Sequence, residues 1–187
     1  YVNQKNQNGL GDAVLHAKEL VGDDSFAVLL PDDLFFSDKS CLSQLIDTYK
    51  KTNSSVIAVN KIDKENIHKY GVISPGIKEY DAILIDDIVE KPSAEDAPSD
   101  IAVCGRYIFT SLIFDYLEAT NFDKSGEIQL TDAIKSLIQN QKVYARLYDG
   151  EKFDCGSKKG FVHATIALAL RDNSISKDIS KIIKEII

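Results

Sequence analysis

The sequence contains no methionine and no tryptophan, and it has only three cysteines among its 187 residues. Cys41, Cys104 and Cys155 lie far apart, so neither a disulfide framework nor a Cys-x-x-Cys zinc site is predicted. This cysteine usage favours the cytoplasm as the compartment. Because the chain opens without methionine, on the strand-like pattern of residues 1–4, we expect a piece that lacks its amino-terminal part.

Long apolar runs and basic stripes are also missing. No segment has the length of apolar sequence that crossing a bilayer requires, so no membrane partner is expected. A formal net charge of −7 argues against a general nucleic-acid binder. Phosphorylated ligands stay compatible with this charge, because a local lysine or metal ion reverses the field inside a cleft. The length suits one substantial α/β core.

A strand that runs into two carboxylates stands in the first part of the chain. Residues 28–30 have the pattern of a strand covered on both faces, and Pro31 ends it. Asp32 and Asp33 then lie at its carboxyl end, where open α/β sheets bind ligands. Carboxylates there suit a hard cation such as Mg²⁺, whereas a merely acidic loop is the alternative for this pair taken alone.

Hydrophobic periodicity predicts alternating helices and strands over the first 60 residues. Asp12 is expected to cap a helix that runs to about Glu19, and an amphipathic helix is expected near residues 42–49. A β-branched strand follows at Ser55–Val59. The order strand, helix, strand predicts a crossover unit with parallel pairing of the two strands.

Short strands dominate the middle of the chain. Residues 70–110 predict a β-rich part built from hairpins, with a turn near Pro75-Gly76. Further elements are expected in this order: a strand to Phe109, a helix capped by Thr110 or Ser111, a helix over residues 133–138, a strand at Val143–Leu147, and carboxyl-terminal helices over about 159–187. The isoleucines of the last helix form a narrow stripe, for which packing within the domain is the first interpretation and subunit contact the second.

Three turns that carry charged side chains follow predicted strands: Asp32-Asp33, Glu90-Lys91 and Asp154. If these strands share a sheet, the three turns face one cleft. Two carboxylates then hold one Mg²⁺ against phosphate oxygens, and a lysine neutralises charge on a phosphoryl group. This equipment suits phosphoryl or nucleotidyl transfer, although each motif is weak by itself.

Taken together, the motifs resemble the bacterial UTP–glucose-1-phosphate uridylyltransferases (UDP-glucose pyrophosphorylases). The resemblance extends from Gln4 to about Arg171, in the order of that family. The matching stretches are Gly9-Leu-Gly-Asp-Ala-Val14, Leu30-Pro-Asp32, Tyr70-Gly-Val72, Val89-Glu-Lys-Pro92, Ala97-Pro-Ser99, Gly105-Arg-Tyr107, Gly126-Glu-Ile-Gln-Leu-Thr-Asp-Ala133 and Asp154-Cys-Gly156.

The resemblance implies a Rossmann-like nucleotide-diphospho-sugar transferase fold with a mixed sheet that lacks its first strands, as a single catalytic domain. It implies the synthesis of UDP-glucose and pyrophosphate from UTP and glucose 1-phosphate, with Mg²⁺ as cofactor. The implied residues are Asp32 and Asp154 on Mg²⁺, Lys91 on the sugar phosphate, Gln4 on uracil, Gly9 and Gly11 near the nucleoside, and Gly71, Glu90 and the backbone near Val103 on glucose. Glu127 and Asp132 are assigned to architecture, and Asp33 to capping or water contact at its loop.

Two departures from the family pattern limit the expectation. Asp12 stands where many relatives have histidine, and nothing matches the Gly-x-Gly-Thr-Arg segment that holds the triphosphate. The supplied chain is therefore expected to be inactive alone. The alternatives are a non-catalytic fragment or sugar-nucleotide-binding module, and a transferase for another base. A homo-oligomer is expected from the family.

Overall fold

The computed structural model describes residues 1–186, which form eight strands, seven α-helices and one 3₁₀ helix, at Lys64–Lys69. The strands are β1 (Phe26–Leu29), β2 (Asp33–Phe36), β3 (Ser55–Lys61), β4 (Gly71–Glu79), β5 (Ala82–Glu90), β6 (Ile101–Phe109), β7 (Val143–Leu147) and β8 (Glu151–Asp154). The helices are α1 (Leu10–Leu15), α2 (Lys18–Val21), α3 (Cys41–Thr52), α4 (Ile113–Ala119), α5 (Leu130–Ile138), α6 (Lys158–Arg171) and α7 (Ser176–Ile186).

The described chain packs as two compact units. The first unit contains Tyr1–Leu29 and Lys39–Asp149, and the second contains Leu30–Asp38 and the chain from Gly150 onward. A six-stranded sheet in the order β1-β6-β3-β7-β5-β4 forms the centre of the first unit. It is a mixed sheet, because β3 and β7 pair in parallel whereas the other described pairs are antiparallel.

The core of the first unit lies on this sheet. Five consecutive residues of β3, Ser55–Val59, are buried, as expected for a central strand with both faces covered. Helix α3 packs on β3 and β6, and α5 packs on β5. Leu45 of α3 and Ile134 and Leu137 of α5 are almost fully buried. The strands of the predicted β-rich part, β4 to β6, are members of the same sheet.

Strand β1 differs from its prediction in two ways. Exposure alternates along it, and Leu29 is 49% exposed, because β1 lies at the sheet edge and one face is left uncovered by the described chain. The prediction of a strand covered on both faces is therefore wrong here. Parallel pairing of β1 with β3 is also wrong, since β6 lies between them and is antiparallel to both.

The predicted hairpin of β4 and β5 is confirmed, but its turn lies elsewhere. The chain reverses at Tyr80-Asp81, where Tyr80 has a φ of 57°. Pro75 instead lies inside β4 at a shift in register. Such an irregularity interrupts the hydrogen-bond ladder and so tolerates a residue without an N–H group.

The predicted side-chain caps are also corrected. Gly9 is the residue before α1, and Asp12 is buried in its first turn without capping it. Neither Thr110 nor Ser111 caps α4, which begins after Leu112 with no side-chain cap. The hydroxyl of Thr110 instead donates to Gln141 Oε1 at 3.1 Å.

The second unit contains a two-stranded antiparallel sheet of β2 and β8, followed by α6 and α7. Ser157 caps α6, since its hydroxyl oxygen accepts from the backbone N–H of Gly160 at 3.0 Å. Across residues 1–186, no helix combines the length and apolar character needed to span a membrane.

Candidate active site

The predicted nucleoside-binding residues Gly9 and Gly11 lie in a segment that is hydrogen-bonded to Ile128, which is distant in sequence. The N–H of Gly11 donates to Ile128 O at 2.9 Å, and the N–H of Ile128 donates to Asn8 O at 2.8 Å. A Cβ on Gly11 would lie 2.6 Å from Ile128 O, and one on Gly9, whose φ is 94°, would lie 2.8 Å from the Cβ of Glu127. This packing by itself requires glycine at both positions.

Gln4 is held at the start of α1. Its side-chain nitrogen donates to Asp12 Oδ2 at 2.6 Å and to Gly9 O at 3.2 Å. Asp12 also accepts, through its backbone oxygen, from His16 Nδ1 at 2.8 Å. The buried Asp12 therefore fixes the orientation of the Gln4 amide, and this is its observed role at the position where histidine was expected.

Three of the residues predicted to bind glucose lie together in the first unit. Gly71 and Glu90 are register partners in the β4–β5 ladder. A Cβ on Gly71 would lie 3.2 Å from Glu90 Oε2, 3.3 Å from Thr131 Oγ1 and 3.7 Å from Val103 Cγ2. The structure thus gathers Gly71, Glu90 and Val103 around one point. Thr131 completes this group, and sequence reasoning had listed it only as part of the Glu-Ile-Gln-Leu-Thr-Asp-Ala motif.

Lys91 follows β5 with a left-handed backbone, at a φ of 44°. Its N–H donates to Tyr70 O at 3.1 Å, which ties the turn to the start of β4. The Nζ atom lies 3.5 Å from Glu90 Oε1, and the side chain is 58% exposed. An accessible cation therefore lies beside a carboxylate at the end of β5.

The segment before α5 is organised by Asp123. Its Oδ1 accepts from Ser125 Oγ at 2.6 Å and from the N–H of Glu127 at 2.9 Å, and its Oδ2 accepts from Gln129 Nε2 at 2.9 Å. These bonds, led by that of the Ser125 hydroxyl, hold the pKa of Asp123 well below its ordinary value. Burial, followed by the charge of Glu90, raises the pKa of Asp132.

The two predicted metal ligands lie together in the second unit. Asp33 and Asp154 are register partners in the β2–β8 ladder, and the N–H of Cys155 donates to Asp32 O at 2.7 Å. A Cβ on Gly156 would lie 3.0 Å from Asp32 Oδ2 and 3.2 Å from Asp154 Oδ1. Glycine therefore keeps open a small space bordered by two carboxylate oxygens, which are the ligands that Mg²⁺ takes.

This pair of carboxylates fits the coordination that Mg²⁺ commonly has. In the part of the chain that is described, no group of three or more His, Cys, Asp or Glu side chains is arranged to hold a metal ion. Mg²⁺ usually takes one or two protein carboxylates and completes its shell with water and substrate phosphates. Asp32 and Asp154 supply that number. The strands that precede Asp32 and end at Glu90, β1 and β5, share the six-stranded sheet, but Asp154 ends β8 in the two-stranded sheet. The premise that one sheet carries all three charged turns is therefore wrong.

Asp33 has a different role from the one expected. It is buried at the start of β2, and its Oδ1 lies 2.8 Å from the Nζ of Lys152, with both side chains 12% exposed. Burial raises the pKa of Asp33, while the Lys152 ammonium opposes this rise. The expectation of capping or water contact is therefore replaced by a buried ion pair, which no local sequence pattern indicated.

Residues 1–170 match the family model described as "Nucleotidyl transferase", and the chain belongs to that family. The chain is 45% identical to the UTP–glucose-1-phosphate uridylyltransferase of Staphylococcus epidermidis (strain RP62A) over 186 residues, which cover the whole chain and 65% of that relative. It is 44% identical to UTP–glucose-1-phosphate uridylyltransferase 2 of Staphylococcus saprophyticus, over the whole chain and 64% of that relative. The chain thus spans just under two thirds of the length of these proteins.

Solved structures agree with this assignment. A UDP-glucose pyrophosphorylase complexed with UDP-glucose superposes with a TM-score of 0.86 at 41% identity, over 90% of this chain and 64% of that one. A UTP-bound UGPase from Acinetobacter baumannii gives a TM-score of 0.87 at 36% identity, over 97% of this chain and 64% of that one. The predicted Rossmann-like nucleotidyltransferase fold with a mixed sheet is confirmed.

Proposed function

We propose that a protein of the relatives' full length that contains this chain joins UTP and α-D-glucose 1-phosphate into UDP-glucose and pyrophosphate. The names of the curated relatives and the nucleotides bound in the two solved structures support this reaction. Because the chain spans 65% of the Staphylococcus epidermidis relative, the activity is proposed for the longer protein. The 187-residue chain by itself is expected to be inactive.

The group formed by Gly71, Glu90, Lys91 and Val103 carries this proposal. A carboxylate accepts hydrogen bonds, which suits it to sugar hydroxyls as donors. A lysine is a point charge that suits a phosphate. Glu90 Oε1 and Lys91 Nζ lie 3.5 Å apart, so one sugar phosphate presents hydroxyls to the first group and its phosphate to the second.

In the proposed reaction, an oxygen of the sugar phosphate attacks the α-phosphorus of UTP in line. The bond from this phosphorus to the bridging oxygen breaks, and pyrophosphate leaves with the electron pair. Lys91 neutralises charge on the sugar phosphate, and Gln4 contacts the uracil. Such a transfer depends on positioning and electrostatics rather than on a protein nucleophile.

Asp32 and Asp154 are proposed to hold Mg²⁺, since their oxygens border the space that Gly156 keeps open. When bound, this ion neutralises charge on phosphate oxygens. The proposal further includes a cytoplasmic location, a homo-oligomer, and no nucleic-acid or membrane partner. Exposed Ile182 and Ile186 of α7 are compatible with subunit contact.

The test is pyrophosphate release by the full-length protein with glucose 1-phosphate, Mg²⁺ and each nucleoside triphosphate in turn. Strong release with UTP alone is expected. Faster pyrophosphate release with dTTP, ATP or GTP than with UTP would show that the enzyme prefers another base. If folded protein releases no pyrophosphate with any triphosphate, the enzymatic proposal is overturned in favour of a binding module.

Matched lysine variants test the proposed site. Lys91→Met is expected to lower kcat/KM for glucose 1-phosphate by about 10²-fold, the order expected when one preorganised electrostatic contact to the transition state is removed. Lys64→Met, at an exposed position of the 3₁₀ helix, is the control and should leave kcat/KM within about twofold. Equal kcat/KM values for the two variants would show that Lys91 does not act on glucose 1-phosphate.

A further inference from the structure

Thr131 makes a contact that links α5 to the end of β5. It lies in the first turn of α5, and its hydroxyl donates to Glu90 Oε2 at 2.6 Å. At this position no carbonyl of its own helix lies three or four residues earlier, so the Thr131 hydroxyl is available to a more distant acceptor. Here the bond spans 41 positions of sequence and ends on the carboxylate that is proposed to bind sugar hydroxyls.

The two oxygens of the Glu90 carboxylate have different surroundings. Oε2 accepts from Thr131, whereas Oε1 lies 3.5 Å from Lys91 Nζ. The Glu90 side chain is 26% exposed. The terminal torsion of a glutamate is broad, so the carboxylate plane is poorly fixed by the side chain itself. One strong hydrogen bond on Oε2 fixes that plane and sets where Oε1 points.

The backbone of β4 confines this pair. A Cβ at Gly71 would come within 3.3 Å of both Glu90 Oε2 and Thr131 Oγ1. Glycine therefore permits the close approach of the bonded pair to the strand. The pair thus lies between strand β4 and helix α5, and the side chain of Val103 on β6 borders the same space, 3.7 Å from the position of a Cβ on Gly71.

We propose that Thr131 is a positioning residue that orients the Glu90 carboxylate for recognition of the sugar hydroxyls. This inference rests on the proposed function. Loss of the Thr131 hydroxyl frees the carboxylate to rotate toward Lys91 and pair with it more closely. Glu90 then no longer presents its acceptor to the sugar, and Lys91 is drawn away from the phosphate.

The test compares Thr131→Val, which removes the hydroxyl at similar volume, with Thr131→Ser, which keeps it, in the full-length protein. Thr131→Val is expected to raise KM for glucose 1-phosphate about tenfold, the size expected for a lost hydrogen bond to a charged group. KM for UTP should stay within about twofold, and Thr131→Ser should stay near wild type. Equal rises in both KM values, or a wild-type KM for glucose 1-phosphate, would overturn the inference.

A double-mutant comparison separates positioning from general stability. In a Glu90→Ala background, Thr131→Val should add little to the loss, because the carboxylate that Thr131 orients is absent. A full additional loss in that background would refute the positioning role. Direct titration of glucose 1-phosphate by calorimetry gives a readout besides turnover. Failure of the proposed function is distinguishable, since the wild-type protein would then release no pyrophosphate.

Discussion

The buried ion pair of Lys152 and Asp33 offers the sharpest test of the second unit. Its charged atoms are 2.8 Å apart, and each side chain is 12% exposed. Lys152 lies on β8 and Asp33 on β2, and Asp33 is the register partner of Asp154 in this two-stranded ladder. Replacing Lys152 by methionine keeps most of the side-chain volume and removes the cation, so the carboxylate stays buried without that partner.

The expected cost follows from the charges that remain. Removing one partner of a buried pair costs about 3–5 kcal/mol of stability, because the other charge is left uncompensated. The charges of Asp32 and Asp154 already act against ionised Asp33, so the Lys152→Met loss should fall in this range. Asp33→Asn should cost less, about 1–3 kcal/mol, since the flexible lysine stem allows its ammonium to reach water.

The pH dependence has a defined sign. Burial raises the pKa of Asp33 above its ordinary value, and Lys152 opposes that rise. In Lys152→Met the opposing cation is absent, so the pKa of Asp33 rises further. A carboxyl whose folded pKa is raised contributes stability below its unfolded pKa and loses it as pH rises through the folded pKa. The deficit of Lys152→Met is therefore expected to be smaller at about pH 5 than at about pH 8.

Urea unfolding followed by circular dichroism at both pH values measures these quantities. Lys64→Met, which removes an exposed lysine, is the control and should unfold like wild type. The reasoning is refuted if Lys152→Met is no less stable than Asp33→Asn. A Lys152→Met deficit that grows on acidification would also contradict it, since protonation of Asp33 removes the buried negative charge that Lys152 no longer balances.

Two further predictions concern the first unit. Gly11→Ala should destabilise the protein by about 1–3 kcal/mol in thermal unfolding, because the new Cβ would lie 2.6 Å from Ile128 O. Helix propensity alone favours alanine over glycine by about 1 kcal/mol. A gain in stability would therefore contradict the packing argument. Asp123→Asn should lower stability at neutral pH, and the deficit should shrink as acid is added. Because the pKa of Asp123 is lower in the folded protein, the carboxylate stabilises the fold above the pKa of the unfolded state, and this stabilisation is lost as pH falls through the pKa of the folded state. Equal stabilities of the variant and the wild type at about pH 7 would refute this role of Asp123.

Local sequence patterns predicted where helices and strands occur, but they did not predict which strands lie next to one another in the sheet. The periodicity over residues 42–49 lies within α3, and the β-branched run at residues 55–59 lies within β3. The order of the sheet depends instead on β6, which enters between β1 and β3 from about 50 positions later in the chain. Propensity and periodicity depend only on residues that are close in sequence, so they could not predict the edge position of β1 or the exposure of Leu29.

The site follows the same division. The family motifs named Gly71, Glu90 and Val103 together, and the structure brings them to one point because β4, which begins at Gly71, pairs with both β5 and β6. Thr131 was missed as a partner of Glu90 because its hydroxyl contact joins positions 41 residues apart. The Lys152–Asp33 pair spans a still greater separation and was missed for the same reason.

The glycine loop shows why a motif shared with a family does not by itself assign a ligand contact. Asn8–Gly11 and the Glu127-Ile128 segment are joined backbone to backbone, so the two motifs form one structural unit. A substitution at Gly11 disturbs this packing before any nucleoside is present. Loss of activity in such a variant therefore reports on folding as much as on binding. The same holds for Gln4, whose side chain donates to Gly9 O and to Asp12 Oδ2, so a change in nucleotide affinity in a Gln4 variant counts as a binding effect only where the thermal unfolding of that variant is unchanged.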